Sequence, residues 1–324
     1  MKEDIQARIG QLRDAMRQAG IDAVIIPQND PHQSEYIASH WQVRRWLSGF
    51  TGSAGDLVVT QSEAYVWADS RYWIQSGMQL EGTGIGVMYD GKPETPAIID
   101  YLCSALPDGS TVGIDGMLFS AEAAGNMRAA LARHGIDLRV DFNPIDEVWT
   151  DRPALPKDEV FVHDVKYAGE DAATKMSKVL EETRLQGADA LFVSDLAEIA
   201  WVLNIRSNDV NCNPVVTAFL YLAPKGTTLF LDKEKMTPEV ASHLVANGIN
   251  VRSYGEVGEF IADVPATEKV LVNPARTAVA LVSMLGDRVV TGLSPIALMK
   301  AVKNDVQIAG FREAMIRDGV ALVK

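Results

Sequence analysis

Hydrophobic positions along the chain switch repeatedly between two periods. Ile5, Ile9, Leu12 and Met16 recur at helical spacing and stop at Gly20. A buried-type strand follows over 22–27. Two alternating runs, 56–60 and 64–68, are separated by Gln61-Ser62-Glu63, which is hairpin spacing. A helix is predicted over about 70–79, a strand over 86–90, a helix over 95–106, a strand over 111–115, a helix over 121–135 and a strand over 137–141. Strands alternating with helices predict layered α/β architecture, and the hairpin makes the sheet mixed.

The pattern breaks over 149–156, where Pro153 and Pro156 interrupt a stretch without periodicity. It then restarts with a helix over 175–187 and a strand over 188–195. Helix, glycine stop, x-Asp-Ala and apolar strand recur at Gly20-Ile21-Asp22-Ala23 and Gly187-Ala188-Asp189-Ala190, which predicts two tandem domains of similar fold. Strands over 215–224, 227–232, 249–255, 269–274 and 287–292, with helices over 237–248, 256–264 and 277–286, complete the second. From Pro295 a short helix, a break near Lys303-Asn304-Asp305 and a long helix are expected. The long helix carries Ile308, Phe311, Met315, Val320 and Val323 as an apolar stripe, which needs a partner surface. The simplest expectation is a further domain beyond Lys324. The predicted division is 1–154, 155–294 and 295–324.

Composition changes this picture little. Of 324 residues 47% are hydrophobic and 23% charged, as in an ordinary globular protein. Net charge is -13, from 43 acidic and 30 basic residues. That argues against nucleic acid or an anionic membrane as a partner, because both need a basic face. The first residues show no apolar signal segment and no apolar run suits a membrane span. Cys103 and Cys212 lie far apart, which fits a reducing compartment, and a cytoplasmic location is expected.

Most candidate chemistry has a plain structural explanation. The five histidines, His32, His40, His134, His163 and His243, have no metal-ligand spacing. Cys103 lies in an apolar helix. Gly82-Thr83-Gly84-Ile85-Gly86 precedes a strand where a dinucleotide fingerprint would follow one. Gly49 to Gly55 lacks the lysine and hydroxyl of a phosphate loop and reads as a structural turn. The segments 29–36 and 195–206 could each be a site or a capping network. Arg71 stands out: the second hairpin strand ends at Asp69-Ser70, a good cap pair, and aims Arg71 from the strand end. A five-donor guanidinium there suits a ligand carboxylate or carbonyl. An arginine tied to a local carboxylate would look the same in sequence.

The segments NDPHQSEYIA (29–38), RRWLSGFTGSAG (44–55), WADSRYWIQ (67–75), VWTDRP (148–153), DLAEIAWVLNIRSNDVNCNPV (195–215) and KAVKND (300–305) occur in this order. Together they resemble the two non-catalytic N-terminal domains of the long, three-domain Xaa-Pro aminopeptidases. The resemblance covers essentially the whole chain, with 295–324 similar to the start of that family's catalytic "pita-bread" domain. It implies two creatinase/prolidase N-terminal-type domains, each a mixed β-sheet flanked by helices. It implies a full-length cytoplasmic enzyme, a homodimer, that removes the first residue from short peptides with proline second, using two divalent metal ions, usually manganese. The metal ligands belong to the third domain, so this part has no cofactor and is inactive alone. Arg71 matches the arginine that reaches the substrate in relatives; Ser70 departs from a glycine that some of them carry. Two other readings remain: a peptide- or protein-binding module of a pseudo-peptidase, and a prolidase- or creatinase-like hydrolase. The tandem repeat argues against the second, because those relatives carry one N-terminal domain.

Overall fold

The computed structural model describes residues 2–324, and its contacts divide the chain into two units at Leu155/Pro156, with Ala278–Ala280 joining the first. In the first unit the order is α1 (Lys2–Ala19), β1 (Ala23–Ile26), α2 (Val43–Ser48), β2 (Asp56–Thr60), β3 (Ala64–Ala68), α3 (Trp73–Leu80), β4 (Gly86–Tyr89), α4 (Ile98–Ala105), β5 (Thr111–Gly113), α5 (Ala121–Ala132), β6 (Asp137–Arg139) and α6 (Ile145–Val148). The six strands form one sheet in the order β4-β3-β2-β1-β5-β6. The hairpin pairs β2 with β3, Leu57 opposite Val66 and Val59 opposite Ala64. The predicted α1 stripe, Ile5, Ile9, Leu12 and Met16, is buried. Each such burial contributes about 1.5–3 kcal/mol of transfer free energy.

The second unit contains β7 (Phe161–Val162), α7 (Val165–Ala168), α8 (Ala172–Leu185), β8 (Ala190–Val193), α9 (Leu196–Val202), β9 (Ile205–Arg206), β10 (Phe219–Leu222), β11 (Thr227–Phe230), α10 (Pro238–Ala246), β12 (Ile249–Arg252), α11 (Val257–Ala262), β13 (Val270–Val272), α12 (Val279–Leu285), β14 (Val289–Thr291), α13 (Pro295–Ala301) and α14 (Asp305–Val323). Its main sheet runs β12-β11-β10-β8-β13-β14, and β7 and β9 form a separate pair. Both six-stranded sheets have the same order and the same sense at every pairing: antiparallel, antiparallel and parallel on one side of the first strand, parallel and parallel on the other.

The recurrent Gly-x-Asp-Ala motif has a physical cause. Gly20 and Gly187 end their helices at φ 69° and 83°, where a side chain would be strained. The next aspartate then brackets the parallel neighbour strand. Asp22 donates its N–H to Thr111 O and accepts from Thr111 N at 2.8 Å; Asp189 does the same with Lys269, again at 2.8 Å on the side chain. Each carboxylate satisfies a backbone donor where the ladder begins.

Most predicted elements come out shorter at their ends, and three show why. Only 219–222 of the run 215–224 is strand, because Thr217 donates its N–H to the Asp209 carboxylate instead of a ladder partner. The helix expected from residue 70 begins as a 3-10 turn over Ser70–Tyr72 and becomes α-helical at Trp73. The strand expected over 249–255 ends at Arg252, where Ser253 and Glu256 form a capping box. Asn304 caps the helix α14, its side chain accepting from Gln307 N. Its stripe residues Ile308, Phe311, Met315, Val320 and Val323 are exposed. No helix is long and apolar enough to cross a membrane, among the described residues.

Candidate functional site

Because β1 and β3 are each antiparallel to β2, they run the same way, and β4 and β5 are parallel to them. The C-terminal ends of these four strands therefore lie at one end of the first sheet, together with the glycine-rich approach to β2. In mixed α/β sheets this end commonly carries function.

Arg71 sits at the end of β3. Asp69 caps the turn by accepting from Arg71 N at 3.0 Å. Its carboxylate also takes two side-chain bonds, Arg71 Nε at 3.0 Å and Nη2 at 2.7 Å. The Arg71 side chain is 66% exposed, so water competes for this pair. The hydrogen bond holds the Asp69 carboxyl below its usual range and raises Arg71. The Arg71 guanidinium lies 5.2 Å from the Tyr72 ring, and Tyr72 Oη and Ser53 Oγ are 2.6 Å apart, tying the corner to the glycine-rich turn. The local carboxylate that the sequence left open is thus present.

The turn itself is scaffold. A Cβ on Gly55 would lie 2.3 Å from Trp67 O, and one on Gly52 would lie 2.4 Å from the Phe50 ring, so neither position admits a side chain. Beneath the turn lies Arg44, fully buried. Its guanidinium donates to Gln28 Oε1 at 3.1 and 2.7 Å and to Gly52 O, and stacks 4.6 Å from the Phe50 centroid. Burial lowers Arg44 to about 10. The segment after β1 is a capping network: buried Asp30 accepts from His32 N at 2.9 Å and Ser34 N at 3.0 Å, while Asn29 donates to Leu118 O.

Comparison of the two units isolates what is peculiar to Arg71. The strand equivalent to β3 is β11, and it too ends in an aspartate-capped 3-10 turn: Asp232 accepts from Glu234 N at 3.0 Å. Glu234 holds the place of Arg71, and Lys235 that of Tyr72. The corner therefore forms without an arginine, and the geometry of the turn does not require one.

The second unit buries charge that the hydrophobic pattern did not reveal. Lys235 and Asp209 form an ion pair with side chains 1% and 0% exposed, and Asp209 also accepts from Thr217 N at 2.6 Å and Ser207 Oγ at 3.2 Å. Lys175 is buried against Trp201, its Nζ donating to Asn204 Oδ1 at 2.7 Å and Trp201 O at 2.9 Å; burial lowers it to about 8. Around 195–206 the structure finds a cap, with Asp195 accepting from Ala197 N and Glu198 N.

Glu198, on the first turn of α9, is buried and accepts from Ser294 Oγ. Burial pushes its carboxyl up to about 7. The folded state then holds a proton that the unfolded chain releases near pH 4.5. Stability from this group is fully present below about pH 4.5 and is lost as pH rises through about 7, a total of about 3 kcal/mol. Glu198→Gln, neutral throughout, should raise the melting temperature at pH 8 and change it little at pH 4.5. A variant that melts lower than the parent at pH 8 contradicts this.

Among the described residues no group of three or more His, Cys, Asp or Glu could hold a metal ion. Two family models, both for the creatinase/prolidase N-terminal domain, match residues 8–148 and 151–307. The chain is 36% identical to aminopeptidase P2 of Arabidopsis thaliana, over 94% of this chain and 47% of that one. It is 35% identical to Xaa-Pro aminopeptidase 1 of Dictyostelium discoideum, over 100% and 53%. Among solved structures it matches an X-prolyl aminopeptidase from Caenorhabditis elegans, described as a cytosolic enzyme with a di-nuclear active site. That match has a TM-score of 0.93 and 30% identity, and covers 100% of this chain and 55% of that one. The chain spans about half the length of the relatives it matches. It belongs to the creatinase/prolidase N-terminal-domain family, with two such domains in tandem, and is homologous to the N-terminal half of the Xaa-Pro aminopeptidases.

Proposed function

We propose that this chain is the non-catalytic N-terminal part of a metal-dependent aminopeptidase that releases the first residue from short peptides with proline second, and that Arg71 is its substrate-contacting residue. The observation that carries the role of Arg71 is the comparison of the two corners: the same capped turn forms with glutamate at Glu234, so the arginine at Arg71 serves something other than the turn. Asp69 holds the guanidinium by two hydrogen bonds and leaves the Arg71 side chain 66% exposed. A peptide carbonyl or carboxylate replaces one or both of those contacts, and exchange between exposed partners costs little.

On this reading the half of the relatives' length that this chain does not span would hold the ligands for two divalent metal ions, manganese by family resemblance, which would activate water there. Among the described residues there is no ligand set of that kind; the role we propose for this chain is to shape and narrow the cleft. We also place the intact protein in the cytoplasm as a homodimer; the relative described as cytosolic and two free cysteines support the location.

The division of labour is tested with the purified chain. Incubated with Ala-Pro-Ala, with and without manganese, it should release no alanine. Metal-dependent turnover by the chain alone would overturn the assignment.

A further inference from the structure

Within the second unit a cavity of about 870 Å³ opens between α7, α9, β9, the end of α13 and the first half of α14. Trp201, Tyr167 and Phe311 line it with aromatic surface. Arg206, Lys300 and Lys303 bring positive charge, against one carboxylate, Glu313. In a chain of net charge -13 this local surplus runs against the whole. The wall is pinned by Asn304, which caps α14 and donates to Ala168 O at 2.9 Å.

Arg206 is the unusual member. Its Nη1 donates to Ala200 O and Ile205 O, capping the end of α9 and leaving Nε and Nη2 over. Burial lowers its pKa, and no carboxylate offsets that effect. Trp201 lines the cavity beside Arg206, with Lys175 Nζ 4.2 Å from its ring centroid. A half-buried guanidinium with two free donors, a neighbouring ammonium and an aromatic floor suit a planar anion attached to an apolar group.

We propose that this cavity binds the C-terminal end of a short peptide, its carboxylate on Arg206 with Lys300 as the second charge, and its last side chain against Trp201 and Phe311. The identity of the ligand rests on the peptide-substrate reading above; the site rests on the cavity and its unspent donors.

The test uses the chain labelled with nitrogen-15, following the indole signal of Trp201 while Ala-Pro-Phe is added as the free acid or as its C-terminal amide. The acid should shift that signal saturably, and the amide should bind about tenfold more weakly or worse. Arg206→Gln should bring the acid down to the amide's level. Lys300→Gln, at a position with no fold-holding hydrogen bond, should weaken the acid severalfold. Equal affinity for acid and amide, or no shift at Trp201, overturns the proposal. Displacement of the peptide by an equal concentration of inorganic phosphate overturns the peptide assignment. The acid-amide comparison needs no variant to fold. Cleavage by the intact protein is measured separately, so failure here is distinguishable from failure of the aminopeptidase reading.

Discussion

Replacing Lys235 with methionine lowers the stability of the second unit by about 3–5 kcal/mol, the largest effect expected of any single substitution considered. The loss follows from what remains rather than from what is removed. Asp209 has no exposure, and its other partners, Thr217 N and Ser207 Oγ, are neutral donors. Without the ammonium this buried carboxyl loses its one charged partner in a medium that solvates polar groups poorly. The same carboxylate holds the chain off the β10 ladder at Thr217, so its loss of order should spread to the start of that strand. Urea unfolding followed by circular dichroism checks this. A shift below 1 kcal/mol would mean that water reaches the pair. The double change Lys235→Met with Asp209→Leu should recover part of the loss, since an apolar pair leaves no orphaned charge.

Arg71→Ala in the intact enzyme should lower kcat/KM for Xaa-Pro peptides about tenfold to a hundredfold, the range for a lost charged hydrogen bond. The urea midpoint of the present chain should not move, because the Arg71–Asp69 pair is exposed and the equivalent turn at Asp232 folds without an arginine. The two readouts separate the alternatives that the sequence left open. A loss of activity at constant stability identifies a substrate contact. Unchanged kinetics identify Arg71 as the partner of Asp69 and nothing more. Arg71→Lys should recover only part of the activity, because an ammonium lacks the planar two-nitrogen face.

Much of the architecture was legible because burial here is periodic. The α1 stripe and the 56–60/64–68 hairpin read directly from apolar spacing, since each element buries one face. The duplication was legible from four residues, Gly-x-Asp-Ala, because that motif does one job twice: it stops a helix and brackets the neighbouring strand. Strand ends read less well. Side chains such as Asp209 and Ser253 take backbone donors away from the ladder, and apolar pattern carries no record of that competition. The buried polar groups were not read at all. Lys235, Lys175 and Glu198 look like solvated charges in sequence, and only the fold shows that Asp209, Asn204 and Ser294 meet them. Arg71 was legible as a candidate from its position after a hairpin strand, but its competing partner and the arginine-free copy of its turn needed the structure.

The most direct test of the account is turnover by the intact protein of two peptides that differ only at the second position, Ala-Pro-Ala and Ala-Ala-Ala, with manganese and after its removal by a chelator. The account predicts manganese-dependent release of the first alanine from the proline peptide alone. Release from both peptides, or from neither, would contradict it.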